Sequence, residues 1–266
     1  PTVRTIDHTL KAVGTFLPEE VVEVSPEVTG PVAELFVDEG NRVQKGDPLL
    51  RVDNTRLAHE IQRAIFEVEQ READLANQQS TLNRNRTLFE KNAIARIEYE
   101  KLETGTSLAA AQLESSKSAR RLAQKNLDDA QVRAPIAGVI TARMTSPGEY
   151  VTPGKQIFTI MNVATLKLQF TLPERYASEI RKGKSVEVTV QSVPDRTFRG
   201  EIYFVNPQVD TETRSLEAKA RVDNAEGLLR PGYFGRIALV TDSREAGVLI
   251  PTEAIIMRGK EQVVFV

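Results

Sequence analysis

The sequence predicts an elongated, multidomain chain of mixed α and β structure, with a long antiparallel α-helical coiled-coil hairpin inserted into a split β-sandwich and a small β-barrel after it. Three observations predict this. A short β-rich motif punctuated by glycine occurs twice at a constant offset, the stretch between the copies is helix-forming with a seven-residue apolar period, and the stretch after them alternates with the period of half-buried strands.

In the repeat, Gly30, Gly40, Val43, Gly46 and Leu49 recur as Gly138, Gly148, Val151, Gly154 and Ile157, with every internal spacing kept; Val32 falls on Ile140 and Val52 on Ile160. Runs 32–37, 49–52, 138–142 and 156–160 read as strands. Gly30, Gly40, Gly46, Gly138, Gly148 and Gly154 are assigned to the turns between them, where glycine adopts positive φ without a Cβ penalty. Residues 21–53 and 132–163 are therefore expected to form one module in space.

Between the copies, 54–131 is rich in Glu, Gln, Asn, Arg, Ala and Leu, which favours helix. Ile61, Val68, Leu75, Leu82 and Phe89 recur every seven residues, with Leu57 and Ala64 on the adjoining face, as in a coiled-coil seam. A returning arm carries smaller residues at Leu102, Ala109, Ser116, Ala123 and Ala130, supplemented by Leu113 and Leu127. The seam breaks at Lys91-Asn92-Ala93, which predicts the turn. An arm of about 35 residues reaches about 50 Å. Arg71, Gln78, Asn85 and Arg120 interrupt the stripe, so little core supports the arm.

Residues 164–242 predict a small barrel from strands at 166–170, 186–190, 198–205, 215–222 and 234–240. One short helix is expected among them, with Pro173 in its first turn and Gly183 just past its end. Beyond Ser243, 248–250, 255–257 and 262–266 again read as strands. The last is expected either to pair with the N-terminal segment around 3–6 or to continue into further chain.

Composition narrows the function. At 266 residues, several modules are expected; 35 Lys plus Arg against 37 Asp plus Glu leaves no positive field for nucleic acid. Cysteine is absent, so no disulfide, thiolate nucleophile or thiolate metal cage is available. No apolar run is long enough to cross a membrane as a helix. The chain begins at Pro1, and a mature or trimmed product whose anchor lay upstream is expected. His8 and His59 lack partners at metal-ligand spacing and read as surface residues, while Met144, Met161 and Met257 are scattered. No triad, phosphate-binding loop or nucleophile elbow occurs, so the chain reads as neither an enzyme nor a cofactor protein.

Residues 28–53, VTGPVAELFVDEGNRVQKGDPLLRVD, together with APIAGVI at 134–140, resemble the split lipoyl-like domain of the membrane fusion proteins, the periplasmic adaptors of resistance-nodulation-division (RND) efflux pumps. VDTETR at 209–214, Asn224 and LRPG at 229–232 extend the resemblance through the barrel. It implies N-terminal strands of the membrane-proximal domain and barrel at 1–20, the lipoyl-like module at 21–53 and 132–163, the hairpin at 54–131, the barrel at 164–242 and part of a membrane-proximal β-domain at 243–266. It further implies an inner-membrane transporter and an outer-membrane channel as partners, self-association as a hexamer or trimer of dimers, and a periplasmic location with an inner-membrane anchor. The family touches the channel through an Arg, a Leu and a Ser at the hairpin tip; here these positions hold Arg84, Leu88 and Ala95. An adaptor for an ABC exporter or a type I secretion system fits the same resemblance. A biotin or lipoate carrier fits less well, because Asp53-Asn54 occupy the junction where a carrier presents its modifiable Lys, and no Lys lies between Lys45 and Lys91.

Overall fold

A computed structural model describes residues 2–249, 255–258 and 261–264, with side chains over 9–239. Contacts divide the chain into two units, Val22–Ile160 and Pro1–Val21 with Met161–Val266. Strands β1 (Thr2–Val24) and β8 (Phe158–Pro173) contribute residues to both. The run from 158 to 172 holds no Gly or Pro, so the strands expected separately at 156–160 and 166–170 form one.

The first unit contains β2 (Gly30–Leu35), β3 (Arg42–Val43), β4 (Pro48–Val52), helices α1 (Thr55–Glu90) and α2 (Arg96–Asp129), then β5 (Gln131–Arg133), β6 (Gly138–Arg143) and β7 (Tyr150–Val151). Four strands run in the order β5-β4-β2-β7, while β3 pairs with β6 and β6 with β8. The two sequence copies interlock by exchanging the same bonds in both directions. Gly40 N–H donates to Ile140 O and Ile140 N–H to Asn41 O, and the counterparts Gly148 N–H to Val32 O and Val32 N–H to Glu149 O close the loop at 2.8–2.9 Å. Phe36 N–H to Leu49 O repeats as Met144 N–H to Ile157 O. Strand register obeys the same rule: Gly30 faces Val151 and Gly138 faces Val43. The module thus has an internal pseudo-twofold. Its core is Val32, Leu49, Leu50, Val52, Ile140, Val151, Ile157, Phe158 and Ile160, all buried.

Gly40, Gly46, Gly148 and Gly154 lie in turns with φ between +80° and +93°. Gly30 and Gly138 do not: each begins a strand, so their expected turn role is corrected. At Gly30 close approach is the physical reason for glycine, since an added Cβ would lie 2.7 Å from Val52 Cγ1.

The helices have 36 and 34 residues. Arg71 Nη1 donates to Gln112 Oε1, and Phe89 stacks on Tyr99, partners that require an antiparallel pair. Leu57, Ile61 and Val68 of α1 and Thr106, Ala109 and Leu113 of α2 are buried. Toward the turn Leu75, Leu82 and Phe89 become half-buried, as do the polar seam positions Arg71, Gln78 and Asn85, whereas Arg120 is exposed.

In the second unit β9 (Ser185–Val190), β10 (Val193–Val205), β11 (Ser215–Asp223) and β12 (Phe234–Leu249) join β1 and β8. The order β1-β12-β9-β10-β11-β8, with β8 also pairing with β1, closes a six-stranded barrel. Period-two burial along β9 and β11 fills it with Val186, Val188, Val190, Leu216, Ala218, Ala220 and Val222, joined by Phe16, Leu168, Phe170 and Ile202. The expected short helix is one 3-10 turn, Glu174–Tyr176, with Pro173 as its N-cap. Gly183 (φ 90°) does not cap it but serves a separate turn in which Lys184 N–H donates to Arg181 O. The N-terminal strand pairs with β12, Val3 opposite Val248, rather than with the last strand. That strand, β14 (Glu261–Val264), pairs with β13 (Ile255–Arg258). The strand ends expected at Ile250 and Val266, and the side chains of His8 and Met257, lie outside the described residues.

Candidate functional site

Helix α1 starts at the junction that a carrier would modify. Asp53 Oδ1 accepts from the Thr55 hydroxyl at 2.6 Å and the Thr55 N–H at 2.9 Å, and these two bonds hold its carboxyl below the usual range. The junction is thereby committed to starting a helix. At the other end of the pair, Lys125 Nζ donates to Asp129 Oδ2 at 2.5 Å and Glu27 Oε2 at 2.7 Å, which raises its pKa and clasps α2 to the segment before β2.

The turn between the helices is built from backbone. Asn92 adopts φ 55°, the left-handed region that Asn tolerates, and this lets Ala93 N–H reach Leu88 O while Asn92 N–H reaches Phe89 O. Those two bonds define a Schellman C-cap, which satisfies carbonyls that the end of α1 would leave open. Ala95 is the N-cap of α2 and makes no side-chain cap bond. Its carbonyl accepts from Glu98 N–H at 3.1 Å. The Phe89–Tyr99 stack, with ring centroids 4.7 Å apart, ties the last turn of α1 to the first of α2.

The three tip residues named from sequence fall within this end. Arg84 is exposed and donates to the Thr81 hydroxyl at 3.3 Å, Leu88 is 44% exposed, and Ala95 is exposed. Arg86 pairs with Glu90 and Arg96 with Glu100, both on helix surfaces. Sequence reasoning missed the aromatic stack, because Tyr99 lies six residues beyond the recognised break at 91–93 and outside the seven-residue pattern. It also missed Ile97, which is 78% exposed, more than any other large apolar side chain among the described residues.

In the sandwich, Asp38 lies below the usual carboxylate range because it accepts from Glu39 N–H and from Arg143, whose Nε is 2.8 Å away. Glu149 is lowered likewise by Lys155 and the Ser146 N–H. In the barrel, the family-like segment 209–214 folds as a loop. There Asp210 Oδ1 accepts from Thr213 and Glu212 N–H, which holds its carboxyl low, and Arg214 takes φ 51°. Asn224, 5% exposed, donates to Val163 O and Leu229 O and accepts from Leu229 N–H. These groups brace turns and loops. Among the described residues no three of His, Cys, Asp or Glu are placed to hold a metal ion, and no helix is long and apolar enough to cross a membrane.

A helical pair set into a pseudo-symmetric sandwich, followed by a six-stranded barrel, matches known proteins along nearly its whole length. Residues 20–162 match the CzcB-like barrel-sandwich hybrid domain and residues 165–243 the CusB-like β-barrel domain. The chain belongs to the membrane fusion protein family. Among its relatives is the nodulation protein NolF of Rhizobium meliloti (strain 1021), 31% identical over 92% of this chain and 67% of NolF. Another is the multidrug resistance protein MdtA of Pectobacterium atrosepticum, 28% identical over 98% of this chain and 66% of MdtA. The chain thus spans about two thirds of these relatives' length. A putative efflux transporter from Bacteroides eggerthii shares the fold with TM-score 0.71 at 21% identity, over 100% of this chain and 81% of that one. A MacA–MexA chimera carrying the Pseudomonas aeruginosa MexA α-hairpin shares it with TM-score 0.67 at 23% identity, over 94% and 87%.

Proposed function

We propose that the protein is a non-catalytic periplasmic adaptor that joins an inner-membrane transporter of the RND type to an outer-membrane channel for the export of small molecules. The two helices act as a coiled-coil hairpin whose tip, with Arg84, Leu88 and Ala95, meets the channel end-on. The barrel and the segments 1–20 and 243–266, the latter assigned to a membrane-proximal β-domain, meet the transporter. The protein self-associates as a hexamer or trimer of dimers around the conduit, carries no cofactor, and is tethered to the inner membrane.

One observation carries this reading: the helical pair leaves the sandwich after Val52 and re-enters it at Gln131, and it ends in a turn, capped by backbone hydrogen bonds, that presents charged and apolar side chains to solvent. Loops placed on a supported scaffold are where binding concentrates. The CusB-like barrel and the resemblance to MdtA favour the RND class of transporter.

The test replaces Arg84 and Leu88 by Glu in the full-length protein in its host. Both positions are exposed or partly so, so the helical circular dichroism and melting midpoint are expected to stay unchanged while export falls to the level of a null strain. Unchanged export with both replacements present contradicts the tip assignment. Intact mass of the protein from cells is expected to equal that of the unmodified chain; a biotin or lipoate increment contradicts the adaptor reading.

A further inference from the structure

We propose that Ile97 is the apolar anchor of the docking tip, inserting into an apolar pocket on the periplasmic end of the outer-membrane channel in place of the polar contact that Ala95 cannot make. This rests on the adaptor reading above.

Folding gives no reason for isoleucine at this position. At 78% exposure it buries almost nothing, and a β-branched side chain forms helix less readily than Gln, Lys or Ala. Every neighbour in the first turn, by contrast, has an internal task. Arg96 pairs with Glu100 at 2.7 Å, Glu98 places a negative charge at the positive end of the helix, and Tyr99 stacks on Phe89. Ile97 alone among residues 96–100 has no interaction of this kind within the tip.

The surroundings specify the partner's chemistry. Leu88, in the last turn of α1, adds a second apolar side chain 44% exposed. The acids Glu90 and Glu100 are neutralised by Arg86 and Arg96. Arg84, bonded only to the neutral Thr81 hydroxyl, and Lys91, exposed at the C-cap, carry positive charge without a carboxylate partner within the described residues. Against these two cations the tip between 84 and 100 sets one acid without a paired cation, Glu98, so two exposed apolar side chains on a tip with an excess of positive charge fit an apolar pocket with an acidic rim. The C-cap bonds and the aromatic stack hold the tip in shape before binding, which lowers the ordering cost of docking. A central apolar side chain in a desolvated pocket, ringed by polar contacts, is the arrangement in which a few residues dominate affinity.

The experiment places a photo-crosslinking phenylalanine analogue at position 88 or 97 of the full-length protein in its host and identifies products by mass spectrometry. Alongside, export is measured for Ile97→Gln and Ile97→Val. Products from both positions with the same outer-membrane channel, an export loss of about tenfold or more for Ile97→Gln and near-normal export for Ile97→Val are expected. A channel product from 88 but none from 97, or full export by Ile97→Gln, overturns the anchor and leaves the adaptor reading standing. A product from 97 with a second copy of this chain also overturns it. Absence of channel products from both positions overturns the adaptor reading as well.

Discussion

Asn92 and Ala95 lie in the turn between the two helices, and each makes a specific energetic demand. Asn92 sits at φ 55°, so Asn92→Ala keeps the Cβ clash of the left-handed region but loses the polar side chain whose local hydrogen bonding lets Asn visit it; a loss of about 1 kcal/mol is expected, while Asn92→Gly is neutral or stabilising. Ala95→Ser completes a Ser-x-x-Glu capping box with Glu98 and is expected to add about 1 kcal/mol. Chemical denaturation followed at a helical wavelength checks both. In the barrel, Asn224→Ala strands the buried groups Leu229 O and Leu229 N–H and the partly buried Val163 O, at a cost of about 2–4 kcal/mol. An Asn224→Ala protein that melts with the parent would contradict that loop assignment.

At the scale of elements, pH acts through turns rather than cores. Asp38, Asp53 and Glu149 have lowered pKa values in the folded state, so what they contribute is present above their unfolded values near about 4 and is lost as pH falls through the folded ones. Lys125 is raised, so its contribution is present below about 10 and is lost at higher pH. The melting midpoint is therefore expected to be flat between about pH 5 and 10 and to fall on the acid side, with Asp38→Asn and Glu149→Gln together making the acid fall shallower. An unaltered acid limb in that double variant contradicts the assignment. The repeat was legible because its turns demand glycine at fixed spacing, and Gly40, Gly46, Gly148 and Gly154 take the positive φ that spacing implies. Gly30 was misassigned because a glycine required by close approach looks, in sequence, the same as one required by a turn, and Gly138, its counterpart in the repeat, likewise begins a strand. The helix read between Pro173 and Gly183 shrank to a 3-10 turn because its start and stop residues belong to two separate features.

For the whole molecule, the matched registers mean that the sandwich closes on itself without the helices: Val52 N–H already bonds Ala130 O, and β4 pairs with β5 across the insertion point. Removal of 54–129 with a short Gly-rich joint, which keeps the Ala130 carbonyl, is expected to leave a folded protein with lower helical signal and a cooperative melt. The seven-residue seam was readable from Ile61, Val68, Leu75, Leu82 and Phe89, whereas Ile97 was not, because it obeys no periodicity and shows itself only as exposed surface. Closure of the barrel by β8 on β1 was equally hidden, since it joins strands far apart in sequence and depends on non-local pairing. An adaptor of this kind works only if the helical pair reaches one partner while the rest of the chain holds another. The most direct measurement is isolation of the cross-linked full-length protein from its host, with and without residues 54–129. The intact protein is predicted to bring down both an RND transporter and an outer-membrane channel, and the shortened one the transporter alone; recovery of the channel without the helices would contradict the account.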